Sequence, residues 1–208
     1  MEQTLTIFYT ANLRGDLNLL PRLYILLRRL KQEAGSPTLL LDAGRACDDS
    51  VWHCAATGGR STLLVLDAMG YTAANVSGYL TPAGRTQLTN NLLGMALLDQ
   101  GDRWENEQVV ITAREASIAA PGKVHIVLAC DEHTALNQGT LRLGTVETGQ
   151  VGVIRLSSAS GTGHLSLLRD NVLTLPSATP PDPTIAGTIE FVLAEARYHR
   201  RKGGSSDR

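Results

Sequence analysis

Two arginines follow the first two apolar runs of the chain, at positions where strands would end. Arg14 comes after LTIFYT, and Arg45 comes after TLLL. A guanidinium group binds phosphate or carboxylate through paired hydrogen bonds, and glycine-rich backbone can add N–H donors. The sequence therefore allows an anion site, built from Arg14, Arg45 and the backbone around Gly44, Gly58 and Gly59.

Neighbouring acidic residues offer the same two arginines a different role. Carboxylates near each loop could neutralise both guanidinium groups in ion pairs, which would leave few donors for a ligand. The candidate partners are Asp16, Asp42, Asp48 and Asp49. The residues by themselves leave both interpretations open.

The first half of the chain alternates strand and helix patterns. A β-rich run at residues 5–10 precedes an amphipathic helix pattern over 18–34, which Gly35 ends, and the apolar run of 38–41 follows. This order implies two parallel strands joined by a right-handed crossover. Helices are also predicted over 62–69 and 85–93, with a strand at 72–76 between them.

The second half is richer in strands. Strands are predicted at 109–112 and 124–129, and alternating apolar and polar residues over 141–146, 151–157 and 165–169 predict an antiparallel meander. Asp182 is the expected cap of a closing helix over 183–199. Two mixed sheets packed face to face, with helices outside, would use all these elements. We therefore predict an α/β fold, a shortened α/β/β/α sandwich.

Length and composition limit the protein class. A chain of 208 residues predicts one domain over 1–200, followed by a flexible tail at 201–208. The net charge is −1 and the cations are scattered, which argues against a nucleic-acid partner.

No apolar run approaches the ~20 residues of a membrane span. The absence of an N-terminal signal pattern predicts a cytoplasmic protein, and three cysteines do not suggest a disulfide framework.

Several stretches form an ordered set of motifs. They are IFYTANLRGDLNLLPRL, LLLDAGRACDDS, VLDAMGYTAANVSGYLTPAG, HIVLACDEHT and LRLGTVETGQVGVIRLSS. In order and spacing this set resembles the metallophosphoesterase domain of 5'-nucleotidases, in the calcineurin-like phosphoesterase superfamily. The resemblance covers most of the chain except roughly residues 86–122. It implies that family's two-sheet fold and a site at the strand ends.

The resembled family uses two divalent metals, which clamp a phosphate ester and activate water. Its ligands are Asp, His and Asn side chains. By resemblance, Asn12 and Arg14 replace the aspartate and histidine of the first motif, and Arg45 replaces the bridging aspartate of the second. Asp42 matches a family residue that precedes the Ala-Gly and is not the bridging ligand.

The later motifs have lost ligands as well. Gly78 and Tyr79 replace an asparagine and a histidine, and Asp131 replaces the first histidine of the last motif, whereas His133 keeps the second. Because arginine stays charged, Arg14 would repel a dication. The resemblance therefore implies a degenerate domain without a binuclear metal centre, retained as a binding or assembly scaffold, with no cofactor expected.

Two ligand classes are compatible with such a scaffold. One is a phosphate-like anion on Arg14 and Arg45; the other is a protein partner, which would use an exposed apolar patch around Trp52, Tyr79 and Leu80. Ion pairs that fill the vacated metal site are favoured over an anion, because a former cation site tends to keep its surrounding acids.

Two metal-dependent alternatives remain. An atypical phosphoesterase could use a reduced site with manganese or zinc at Asp42, Asp131 and His133. A separate zinc site could join two loops that the resemblance brings close, since Cys and His suit zinc. Its candidate ligands are Cys47, His53, Cys54, Cys130 and His133.

Overall fold

A computed structural model describes residues 2–90, 93–115, 122–159 and 165–203. Its elements, in chain order, are β1 (Glu2–Thr10), α1 (Leu20–Ala34), β2 (Thr38–Asp42), α2 (Trp52–Ala56), α3 (Arg60–Ala68), β3 (Ala73–Asn75), α4 (Pro82–Asn90), β4 (Ala96–Leu98), β5 (Arg103–Glu105), β6 (Val109–Thr112), β7 (Val124–Asp131), β8 (Ala135–Asn137), β9 (Thr140–Gly144), β10 (Gln150–Ala159), β11 (Leu165–Thr174) and α5 (Pro183–Gly203).

The larger sheet has six strands in the order β11-β10-β1-β2-β3-β4. The pairs β1–β2, β2–β3 and β3–β4 are parallel, whereas β10 is antiparallel to both β1 and β11. The parallel β1–β2 pair places Thr6 opposite Thr38. The strand–helix–strand prediction for the start of the chain is therefore confirmed.

The smaller sheet has five strands in the order β5-β6-β7-β9-β8. β7 runs parallel to β6 and to β9, and the other pairs are antiparallel. The predicted antiparallel meander is wrong in one respect, because β9 belongs to this sheet whereas β10 and β11 belong to the larger one. Alternation identifies the buried face of a strand, but it does not choose the strand's partner.

Two cores hold the layers together. Ile7, from β1, lies in the core between the sheets with Leu41 and Ile111. Its neighbour Phe8 points to the opposite face, where helices pack, since successive strand residues alternate sides. All five described helices place buried residues in this second core. An α/β sandwich of two mixed sheets is confirmed.

The helix ends follow local signals. Gly35 ends α1 with φ 60°, the left-handed conformation typical of a C-terminal cap. Asp182 caps α5, because its Oδ1 accepts bonds from the N–H groups of Thr184 and Ile185 at 2.9 and 3.1 Å. α5 continues to Gly203 and so includes three residues of the predicted tail; residues 204–208 lie outside the described ranges. No helix among the described residues is long and apolar enough to cross a membrane.

Candidate functional site

The loops after β1 and β2 lie side by side at the carboxyl ends of these parallel strands. The N–H of Asn12 donates to the Gly44 carbonyl at 3.0 Å, and the N–H of Arg14 donates to the Arg45 carbonyl at 2.9 Å. The Gly15 N–H continues this ladder to the next carbonyl of the second loop at 2.8 Å. The ladder extends the sheet and fixes the two arginine backbones beside each other.

Three residues of this ladder have backbone angles that non-glycine residues rarely adopt. Asn12, Arg14 and Arg45 have φ values of 55°, 49° and 57°. Such residues cost roughly 1–3 kcal/mol each and persist only where the surrounding structure enforces them. They stand at positions that the resemblance assigns to metal ligands. Among the described residues, Gln138 alone shares this property outside the site.

A cleft opens above the ladder and divides into two cavities that share Arg45 and Ser77. The inner cavity measures about 310 Å³, and its polar lining comes from Asn12, Arg45, Asn75, Ser77, Cys130 and Thr145. The outer cavity measures about 520 Å³ and is lined by Arg14, Arg45, Cys47, Asp48, Asp49, Ser77, Gly78 and Tyr79. The loop residues singled out in the sequence, Asn12, Arg14, Arg45, Gly78 and Tyr79, thus border one cleft.

The two guanidinium groups in this cleft are exposed. Within the described ranges, neither Arg14 nor Arg45 forms a side-chain hydrogen bond or an ion pair. The favoured expectation of ion pairs with nearby aspartates is therefore wrong. Asp48 is instead held by Ser50, whose hydroxyl and N–H donate to its Oδ1 at 2.6 and 2.9 Å. These bonds lower the pKa of the Asp48 carboxyl, with a smaller contribution from Arg14.

Two asparagines form hydrogen bonds to backbone carbonyls at the base of the cleft. Asn12 is buried, and its Nδ2 donates to the Val146 carbonyl at 2.9 Å. Asn75 is the last residue of β3 and lines the inner cavity; its Nδ2 donates to the Leu128 carbonyl at 2.8 Å, and its Oδ1 accepts from the Ser77 N–H. Asn75, Ser77 and Thr145 were not predicted as site residues. For Asn75 the signal was a polar residue at the end of a strand, but the resemblance placed the family's asparagine on Gly78 instead.

Asp42 lies beneath the cleft and is fully buried. Its Oδ2 accepts from the Thr10 hydroxyl and its Oδ1 from the Gly44 N–H, both at 3.1 Å. The Thr10 hydroxyl also bonds the Tyr71 hydroxyl at 3.0 Å. Burial raises the pKa of Asp42 to about 8, because these bonds only partly offset the loss of water. This residue supports the loops rather than facing a ligand.

The reduced metal site proposed for Asp42, Asp131 and His133 is not assembled. Asp131 accepts from Arg142 at 3.5 Å, whereas the side chain of His133 is 86% exposed and lies 3.9 Å from Glu132. Neither residue lines the two cavities of the cleft. The side chains of Asp131 and His133, at the end of β7 and in the loop after it, therefore face away from the cleft. The spacing of a sequence motif does not determine such an orientation.

The alternative zinc site is also contradicted. Cys47 and Cys54 form a disulfide, and both ring nitrogens of His53 are hydrogen-bonded, Nδ1 to the Ser61 hydroxyl and Nε2 to the Gly15 carbonyl. The described part of the chain contains no group of three His, Cys, Asp or Glu side chains that could hold a metal. Cys130 is the one free cysteine there, and burial raises its pKa to about 11.

Two further sequence predictions are corrected around α2. Tyr79 is 8% exposed, and only Trp52 of the predicted apolar patch is exposed, at 38%, beneath the Arg200 guanidinium. The patch therefore does not exist as an apolar surface. Gly58 lies against Thr81 and outside both cavities, so its backbone does not contribute to the cleft.

Known structures share this architecture. No protein-family model and no curated protein matches the sequence. The calcineurin-like phosphoesterase YfkN from Bacillus subtilis superimposes with a TM-score of 0.64 at 13% identity, covering 96% of this chain and 100% of that one. The sulfate thiohydrolase SoxB from Thermus thermophilus gives a TM-score of 0.61 at 10% identity, covering 91% of this chain and 60% of that one.

The chain has the calcineurin-like phosphoesterase fold. Within that fold, the side chains at the expected ligand positions do not fit a pair of divalent metals. Arg14 and Arg45 supply positive charge at two positions that the resemblance assigns to metal ligands, where anionic donors would be needed. Asn12 is turned toward Val146.

Proposed function

We propose that this domain binds a phosphate-like anion in the cleft and does not carry out binuclear metal hydrolysis. The observation that carries the proposal is the pair of exposed guanidinium groups, Arg14 and Arg45, which line one cavity without a described carboxylate partner. A tetrahedral oxyanion offers several acceptors to two such groups. The Ser77 hydroxyl donates to Asp99 and so contributes chiefly to the shape of the cleft.

The strained backbone supports the same interpretation. Left-handed angles at Arg14 and Arg45 set the directions in which both side chains leave the ladder. If the two arginines served only to fill space, their backbones could relax to ordinary angles. A binding site instead gains affinity when its donors are oriented before the ligand arrives. The domain is then a ligand-binding scaffold that retains the fold without the metal chemistry.

Removing one guanidinium group at a time tests the proposal. We expect Arg14→Gln and Arg45→Gln each to weaken sulfate or phosphate binding by about tenfold, since a charge-assisted contact contributes ~1.5–3 kcal/mol. Arg197→Gln removes the same charge from an exposed position on α5 and should leave affinity unchanged. Isothermal titration of each variant with sodium sulfate is the measurement. Equal affinity of wild type and the Arg14→Gln/Arg45→Gln double variant would refute anion binding at this site.

The alternative, a metal-dependent phosphoesterase, predicts a different result. Asp42, Asp131 and His133 would have to converge around manganese or zinc, and their present positions do not favour it. Hydrolysis of a phosphodiester or a nucleotide with added manganese, lost in His133→Ala, would establish that alternative. We expect no metal-dependent turnover and no stoichiometric metal after dialysis.

The expected cytoplasmic location stays a prediction. Disulfides persist mainly in oxidising compartments, so the Cys47–Cys54 pair argues against the cytoplasm. We propose that the protein works where this bond stays closed. Cell fractionation with thiol trapping measures both properties in one sample.

A further inference from the structure

A buried disulfide lies directly beneath the two arginine loops. Cys47 is two residues after Arg45 and is 4% exposed, whereas Cys54 belongs to α2 and is fully buried. Ser61 and Thr62, at the start of α3, place their hydroxyl groups 3.3–3.5 Å from the Cys47 sulfur. The bond therefore ties the loop that carries Arg45 to the helical layer.

The loop that carries Arg14 rests on the same disulfide. Gly15 has φ +80°, and a Cβ there would lie 2.9 Å from the Cys54 sulfur and 3.3 Å from the His53 ring. The His53 Nε2 donates to the Gly15 carbonyl at 3.0 Å, since a carbonyl can only accept, and burial lowers the pKa of His53. Both loops thus share one support.

The disulfide lies next to the residues that have left-handed backbone angles. The Gly15 N–H donates to the Ala46 carbonyl at 2.8 Å, next to Cys47, so any movement of Cys47 passes into the ladder between the loops. Without the covalent tie, the Arg45 loop keeps this ladder and the contacts of Cys47 with α3, but it loses its link to α2 next to a strained residue. The disulfide therefore positions the guanidinium groups without contacting a ligand.

We propose that the Cys47–Cys54 disulfide is a redox-controlled clip for the anion site. Closed, it holds Arg45 beside Arg14 in the binding geometry. A dithiol reductant opens it by exchange: the disulfide takes up two electrons and two protons to give two thiols, and the reductant closes into its own disulfide. The opened loop loses its anchor to α2, and the oriented pair of arginines is lost. This inference rests on the proposed function for its ligand.

The test compares the oxidised protein, the protein reduced with dithiothreitol and a Cys47→Ser/Cys54→Ser variant. We expect sulfate affinity to fall about tenfold in the second and third samples, and to return when the reduced wild type is reoxidised. Alkylation of free thiols followed by mass spectrometry checks in each sample that Cys130 has not exchanged into the disulfide. Equal affinity in the oxidised and reduced samples would show that the clip does not control the site.

A second measurement separates failure of the clip from failure of anion binding. Hydrogen exchange at the N–H groups of Arg14 and Gly15 reports the ladder without any ligand, and we expect both to exchange faster after reduction. If sulfate does not bind the oxidised protein but these amides lose protection on reduction, the clip stands and the proposed anion does not. If amide protection is unchanged on reduction, the positioning role is overturned. Circular dichroism verifies that the reduced sample remains folded.

Discussion

Asp42 occupies the end of β2 with its carboxyl group enclosed and no described cation within ion-pair distance. Its position in the resembled pattern suggested a residue near a metal site. The structure gives it a local role, since it accepts from Thr10 and Gly44 and fixes the turn into the Arg45 loop. A carboxyl in such surroundings keeps its proton near neutral pH, so it adds no negative charge beneath the proposed anion site.

This burial predicts how stability depends on pH. The folded pKa of Asp42, about 8, lies above its unfolded value near 3.8, so the folded state holds a proton that the unfolded state releases. The resulting stabilisation is complete below pH ~4 and is lost as pH rises through about 8. We expect Asp42→Asn to remove this dependence and to exceed wild-type stability above pH ~8. Urea unfolding at pH 6 and pH 9 measures it, and identical pH slopes in both proteins would contradict the assignment.

At the scale of elements, α3 and α5 are joined by a buried ion pair. Arg60 donates to Glu195 at 2.9 Å with only 4% of its side chain exposed, and its Nε also bonds the Thr57 carbonyl. His199, one turn after Glu195, approaches the same guanidinium at 3.3 Å. The pair fixes α5 against the segment that follows the disulfide. The sequence predicted this closing helix but not the partner of Glu195.

The ion pair predicts an asymmetric response to mutation. Glu195→Ala leaves a buried cation without its carboxylate and should destabilise the fold by ~3 kcal/mol. Replacing both residues, as Arg60→Met with Glu195→Leu, should recover most of that loss because no charge remains buried. The free energy of unfolding in urea tests both variants. A double variant less stable than Glu195→Ala would show that the charges contribute more than their burial costs.

At the scale of the whole molecule, β1 joins the parallel half of the large sheet to its antiparallel half. Tyr9 lies opposite Gly152 of β10, and its ring covers that glycine so closely that a Cβ would lie 2.1 Å from it. Gly152 is needed for close approach rather than for an unusual backbone angle. The contact therefore sets how closely the buried Tyr9 ring can pack over β10, where the two halves of the sheet join.

Alanine at this glycine should disturb the whole fold. We expect Gly152→Ala to destabilise the protein by ~3 kcal/mol, because the Tyr9 ring must leave its buried position. Gly187→Ala is the matched control, since nothing lies within 4 Å of a Cβ there, and a helical alanine should add ~0.5–1 kcal/mol of stability. Thermal unfolding of both variants gives the comparison; a neutral Gly152→Ala would contradict the packing described.

Hydrophobic periodicity and helix-capping residues predicted much of the secondary structure from the sequence alone. The β1–α1–β2 unit, the cap at Asp182 and the two-sheet fold were predicted because each depends on residues near one another or on an ordered set of motifs. The replacement of expected ligands by Arg14 and Arg45 was also visible, because a motif fixes position along the chain.

Tertiary structure decided which side chains meet. It left the arginines without the predicted carboxylates, paired Cys47 with Cys54, buried Tyr79 and turned His133 outward. These outcomes depend on the distances between strand ends. Strand register and packing across the whole chain set those distances, so local sequence patterns do not reveal them. The sequence therefore indicated, by resemblance, that arginines stand at two expected ligand positions, whereas the structure placed both exposed guanidinium groups in one cleft beside a disulfide.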